Sequence, residues 1–278
     1  MAEKTYEELE VEILEMWKNA GLTNDFVFCK VMEDPELCKH ALELLLGKEI
    51  SKIEYPNRQT YFKNALLTRG IRLDVYTKND SQCFDLEIQT TNQSDILERA
   101  RYYTAIMDAD NLKPGMEFKS LKDNFVIFLC LKDPFNRGLP LYTYKTFCKE
   151  DESLQDDRTI KLFYNLEKVD KITDKSLNRF LTCLKTNKSY DEFTAKIVKK
   201  FYESKLSSDN QRWYMTTYMK EVYKYHEGLA DGAAQNALEN AVSLYKNGVS
   251  AEIIEKSIGI TLEQIQTEIK KQDKADFR

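Results

Sequence analysis

The stretch RLDVYTKNDSQCFDLEIQTT, residues 72–91, constrains the fold more than any other part of the chain. Apolar and polar residues alternate on both sides of the polar KNDS, the pattern of two β-strands joined by a turn. Successive strand side chains point to opposite faces, so Ile71, Leu73 and Val75 share one face of the first strand, and Arg72, Asp74 and Tyr76 the other. In the second strand Phe84, Leu86 and Ile88 form the apolar set; Asp85, Glu87 and Gln89 form the polar one. An even-numbered loop centred near Asp80 and Ser81 brings like faces together and sets Asp74 opposite Glu87. Like charges opposite each other on a sheet cost roughly 0.2–1 kcal/mol, so this pair wants a cation. Two oxygen ligands on rigid strands suit Mg²⁺, which takes one or two carboxylates and leaves its other positions to water and phosphate. The alternative is the solvated face of an antiparallel sheet, with Arg72 neutralising its neighbours.

Composition narrows the chemistry. There are two histidines, His40 and His226, too few for a metal site built on several imidazoles and unfavourable to Ser-His-Asp or Cys-His catalysis. The six cysteines are scattered without a CxxC pair, which argues for packed, reduced thiols and against zinc. Cys83 has no sequence-evident base. The acidic amino terminus lacks a basic-then-apolar leader, and no run approaches the ~20 apolar residues of a membrane span, so the expectation is a cytoplasmic protein with no membrane partner. A net charge of −5 looks unsuited to nucleic acid until it is divided: residues 1–55 hold 6 basic and 13 acidic residues, leaving the other 223 at +2. That distribution permits a basic groove.

Along the chain, EDPELCKHALELLLGKEI reads as a helix with Pro35 in its first turn and Gly47 at its stop. ISKIEYP reads as a first strand. After the hairpin, Ser94 or Asp95 caps a helix to about Ala109, with Arg99, Tyr102 and Tyr103 at helical spacing. NFVIFLCLKDPF has the unbroken apolar run of a central strand covered on both faces. LYTYKTF and TIKLFYNLEKV read as two more strands, and from about Lys175 the pattern is helical. The order predicts an α/β core, a mixed β-sheet flanked by helices. Thr261 and Gln264 form a capping box in the carboxyl-terminal helices, where Glu263 and Glu268 argue for packing or self-association over reading DNA.

RGIRLDVYTKND, FDLEIQTT, SDILERARYYTAIMD, NFVIFLCLKDPF and YTYKTFC, in that order, resemble the PD-(D/E)XK nuclease family transposases, relatives of the recombination-promoting nucleases. The segment NDFVFCKVMEDPELCKHALELLLGKEISKIEYP is similar to that family's entry segment. The resemblance implies a restriction-endonuclease-like core with a helical carboxyl-terminal extension, and Mg²⁺-dependent (or Mn²⁺-dependent) hydrolysis of DNA phosphodiesters. It implies metal binding by Asp74 and Glu87, and a catalytic Gln89 where distant relatives carry Lys. Arg69, Arg72, Arg99, Arg101 and Tyr103 are candidate nucleic-acid contacts; Tyr102 is as readily core. Asp25 matches an acidic position of the entry motif and can equally cap a helix, and Asp85 is either a solvated bystander or holds a metal-bound water. The expected organisation is an amino-terminal helix at 1–21, the nuclease-like core at 22–172, a helical extension at 173–231 and a helical tail at 232–278 that can support a homo-oligomer. A binding module for nucleic acid or protein that keeps this fold without turnover is the alternative.

Overall fold

The computed structural model describes residues 5–54, 57–62, 71–91 and 94–275; in 57–62, 71–73 and 273–275 it describes the backbone alone. Six strands form one sheet: β1 Asn57–Phe62, β2 Ile71–Lys78, β3 Gln82–Gln89, β4 Asp123–Cys130, β5 Leu141–Tyr144 and β6 Thr159–Asn165, in the spatial order β1-β2-β3-β4-β6-β5. β3, β4 and β6 are parallel neighbours, while β1, β2 and β5 pair antiparallel. Parallel neighbours need a crossover, and helix α4, Ile96–Asn111, provides the one between β3 and β4.

The hairpin register is the one that the alternation predicts. Lys78 pairs with Cys83 and Val75 with Leu86, around a loop closed by the Asn79 N–H donating to the Gln82 carbonyl at 2.9 Å. The expected wet face is not wet, however. Seven of the eight β3 residues are buried, acids included, because α4 covers the polar side with Ile96, Ala100, Tyr103 and Met107 while α2, Asp25–Met32, packs on β2 and β3. β3 borders the parallel part of the sheet, where helices cover both faces, and alternation alone does not reveal the second one.

The entry segment folds as read. Asp34 caps α3, Pro35–Leu46, with its side chain on the Glu36 and Leu37 N–H groups; Pro35 opens the helix and Gly47 ends it at φ 62°. The first strand lies later than ISKIEYP suggests. Residues 50–54 are irregular, held by the Glu54 N–H on the Lys78 carbonyl at 2.7 Å, and β1 begins at Asn57; residues 55 and 56 lie outside the described residues.

Past β6 the chain is helical, in α5 Lys175–Thr186, α6 Glu192–Leu206, α7 Ser208–Lys246, α8 Ala251–Ile258 and α9 Leu262–Ala275. Two compact units result, residues 15–212 and residues 1–14 with 213–278, and helix α1, Tyr6–Asn19, contributes to both. The boundary expected at Gly232 falls inside α7, where the helix runs on without a break. Gly228 and Gly232 each cost about 1 kcal/mol of helix propensity, which the Ala, Leu, Gln and Glu around them offset. The last turns of α7 join α8 and α9 in a small core of Ala241, Val242, Ile254 and Ile265. Gly259 ends α8 at φ 79°, and the Thr261–Gln264 capping box forms, with the Thr261 N–H donating to Gln264 Oε1 at 2.8 Å. No helix among the described residues is long and apolar enough to cross a membrane.

Candidate active site

The hairpin ladder gives way one residue beyond Val75 and Leu86, where the register carries Asp74 opposite Glu87. Side chains take over there. The Asp74 N–H donates to Glu87 Oε1 at 2.8 Å, and the Ile88 N–H donates to Asp74 Oδ2 at 3.2 Å. Each carboxylate thus locks the other strand's backbone, and both are fixed in a fork of the sheet. Asp74 is 7% exposed, Glu87 4%, Gln89 9% and Asp85 0%.

Charge is the defining property of this fork. Burial pushes Asp85 well above the usual carboxylate range, and the negative charge of Asp74 adds to it. Burial and then Asp85 push Glu87 the same way. Neither Asp85 oxygen accepts a hydrogen bond from a donor among the described residues. The adjacent Glu87 carboxyl satisfies one of them only when a proton sits between the two acids.

Among the described residues, α4 brings a balancing charge. Arg99 donates from Nη1 to Gln89 Oε1 at 2.8 Å, and its Nη2 lies 3.7 Å from Glu87 Oε2. Tyr103 accepts from Arg99 Nη2 at 2.9 Å, and the guanidinium lies over the Tyr103 and Phe128 rings at 5.5 and 5.6 Å. Arg99 and Tyr103 share a helix face because they are four residues apart. Gln89 is engaged at both ends, since its Nε2 donates to the Thr91 carbonyl at 2.7 Å. It therefore positions Arg99, where the sequence suggested an amide aimed at water.

The donor set fits a hard divalent cation: buried carboxylate oxygens crowded together, both oxygens of Asp85 orphaned among the described residues, with the Arg99 guanidinium beside them. Among the described residues no three His, Cys, Asp or Glu side chains are grouped to hold a metal; Asp74 and Glu87 form a facing pair, and one or two carboxylates are the number that Mg²⁺ commonly takes. Burial pushes the Cys83 thiol up to about 12, which leaves it inert as a nucleophile.

The other sequence candidates scatter. Arg69 lies outside the described residues, and so does the side chain of Arg72. Arg101 is exposed on α4, and Tyr102 packs half-buried on the core beneath that helix. Asp25 opens α2, but the cap is Asn24, whose side chain accepts from the Val27 N–H at 3.2 Å. Asp85, read as a solvated bystander or a holder of metal-bound water, is enclosed and without solvent contact. Thr91 and Phe128 are site residues that sequence reasoning missed. The two-residue step from Gln89 to Thr91 was the one available signal.

A family model described as PD-(D/E)XK nuclease family transposase matches residues 22–231, about three quarters of the chain. No curated protein and no solved structure matches it.

Proposed function

The chain belongs to the PD-(D/E)XK nuclease family transposases, and from that premise we propose that it is a divalent-metal-dependent endonuclease hydrolysing DNA phosphodiesters. The observation that supports this reading is the buried fork in which Asp74 and Glu87 are held by each other's backbone. A carboxylate pair costs stability in such a place, and a fold without turnover has no use for it.

In this reading Asp74 and Glu87 hold Mg²⁺, or Mn²⁺ in its place. The chemistry such an ion supplies when bound is polarisation of a phosphoryl oxygen and a more acidic attacking water. The chain's own groups do the rest. The hydrogen bonds from the Asp74 and Ile88 N–H groups fix both carboxylates in advance, so little reorganisation remains when a phosphate arrives. Arg99 brings a fixed positive charge beside Glu87 to meet charge growing on the phosphate, and Gln89, tied to Thr91, sets its position. The walls of Tyr103 and Phe128 keep the guanidinium in a poorly solvated place, where its charge acts strongly. The second compact unit supports association with another copy of the chain, since Tyr223, Tyr225 and Leu229 of α7 are exposed there.

The test is nicking of supercoiled plasmid by wild type and Asp74→Ala, each with Mg²⁺ and with EDTA. Cleavage by wild type with Mg²⁺ alone is the expected result. Equal cleavage by Asp74→Ala, or cleavage indifferent to EDTA, would overturn the proposal.

A further inference from the structure

We propose that the loop at residues 132–139, anchored by Asp133, is a phosphate-backbone clamp in which Arg137 binds a DNA phosphate about two nucleotides from the bond that is cut. This rests on the nuclease reading and adds to it a second, separate contact with the substrate.

The loop is built as a rigid mount. Asp133 is buried and accepts from the Phe135 N–H at 3.0 Å, the Gly138 N–H at 2.7 Å and the Tyr142 hydroxyl at 2.8 Å. Asn136 and Gly138 both take left-handed backbone, at φ 54° and 71°, and between them the chain turns Arg137 outward. Phe135 plugs the loop into the sheet, with its ring 5.2 Å from Phe163 and 4.9 Å from Tyr142. The Arg137 guanidinium lies over that ring at 6.0 Å, and the residue is exposed. Lys132, at the other foot of the loop, is exposed too. Neither cation has an ion-pair partner among the described residues. The one acid of the loop, Asp133, is turned inward and spent on these hydrogen bonds.

The register fixes where this mount stands relative to the acids. Glu87 pairs with Phe128, Phe128 with Phe163, and Phe163 with Tyr142, one straight row across four strands. Their side chains belong to the face under α4, where Arg99 lies over Phe128 at one end and Arg137 over Phe135 at the other. The two guanidinium groups are thus linked by rings in contact, Phe128 stacked on Phe163 at 5.3 Å and Phe163 edge-on to Phe135 at 5.2 Å. Strands stand about 4.8 Å apart, so the loop lies two to three strand spacings, about 10–15 Å, from Glu87. Successive phosphates of one strand rise about 3.4 Å along the axis while winding around it, so they stand roughly 6–7 Å apart through space and that span covers about two nucleotides. The foot of the loop joins the same end of the sheet as Gln89, because the Leu131 N–H donates to the Gln89 carbonyl at 2.9 Å.

A single phosphate contact has a defined signature: its loss weakens binding to all sequences alike and makes the salt dependence shallower by about one unit of log K against log[salt]. The experiment is fluorescence anisotropy of a short labelled duplex with the full chain in EDTA, for wild type, Arg137→Gln and Arg137→Lys across a salt series. Arg137→Gln should bind several-fold more weakly with a shallower slope, and Arg137→Lys should keep the wild-type slope. Methylphosphonate placed about two nucleotides from the mapped cut should weaken wild type and leave Arg137→Gln unchanged. Wild-type affinity and slope in Arg137→Gln, or equal sensitivity of both proteins to that methylphosphonate, would overturn the clamp while plasmid cleavage by wild type leaves the nuclease reading intact. Absence of Mg²⁺-dependent cleavage by wild type would instead remove the nuclease reading and the clamp with it.

Discussion

Arg99 bridges Gln89 and Glu87, donating to the amide oxygen of the first at 2.8 Å and lying 3.7 Å from the carboxylate of the second. The charge that a Lys at position 89 would carry into the site therefore reaches it from α4. Taken from the sequence alone, Gln89→Lys should be harmless or helpful, because relatives use a cation there. The bridge reverses that expectation. A lysine would remove the acceptor of Arg99 and set a second cation against it, in a place with little water to screen the pair. Gln89→Lys should lower the plasmid nicking rate, Arg99→Gln should lower it by about 10²–10³ as for loss of a stabilising donor, and the double variant should recover part of the loss. A double variant no better than Arg99→Gln would show that the site needs the guanidinium in its own position.

Occupation by a metal has a thermal readout independent of turnover. An ion that binds only the folded state stabilises it by about 2.7 kcal/mol at a hundred times its dissociation constant. Added Mg²⁺ should raise the melting temperature of wild type and move Asp74→Asn and Glu87→Gln much less. Both substitutions keep an oxygen able to accept from the partner N–H, of Ile88 and of Asp74 respectively, so the metal-free variants should melt at or above the wild-type temperature. Variants that melt lower in EDTA, beside a wild type blind to Mg²⁺, would sink the site as drawn.

What the sequence made legible follows from periodicity. The two-residue repeat of RLDVYTK and CFDLEIQ is enough to fix the hairpin register and the shared face of Asp74, Asp85 and Glu87, because a slip by one residue would turn Leu86 and Ile88 away from the core. Helix ends were legible for the same local reason, as at Pro35, Gly47 and the Thr261–Gln264 box. What lay hidden was tertiary. Nothing in the alternation says that α4 returns across the polar face, so Asp85 read as solvated when it is enclosed. The tie between Gln89 and Arg99 spans a loop and a helix, and only the packed helix reveals that their side chains meet.

The tail can be tested by deletion from Gly232. The core of Ala241, Val242, Ile254 and Ile265 lies wholly beyond that point, and α7 around Gly232 is exposed, so the cut removes one cluster whole and opens no other. The truncated chain should keep Mg²⁺-dependent cleavage of a short duplex, and because Tyr223, Tyr225 and Leu229 remain, light scattering should report the same number of copies as for the full chain. Loss of cleavage in a truncation that still melts cooperatively would tie the tail to the chemistry.

Asp85 makes the sharpest prediction, because its two carboxyl oxygens have no donor among the described residues and burial and the charge of Asp74 outweigh Arg99 there. Its folded pKa stands above the unfolded value of about 4, and so does that of Glu87. Such groups bind protons more tightly folded than unfolded. Their contribution to stability is full below the unfolded pKa and is lost as pH rises through the folded one. Metal-free wild type should therefore melt at a higher temperature at pH 5.5 than at pH 8. Carboxyls held low by hydrogen bonds, such as Asp133 and Asp191, lose their contribution only near pH 4 and below, outside this window. Asp85→Asn removes the charge and offers a donor to Glu87, so it should stabilise the metal-free protein at pH 8 by about 1 kcal/mol or more and flatten most of the pH dependence. Differential scanning calorimetry in EDTA between pH 5.5 and 8 decides the matter: a wild type whose melting temperature rises with pH, or an Asp85→Asn variant less stable than wild type at pH 8, would mean that the fork holds its acids ionised and compensated by a partner other than Arg99.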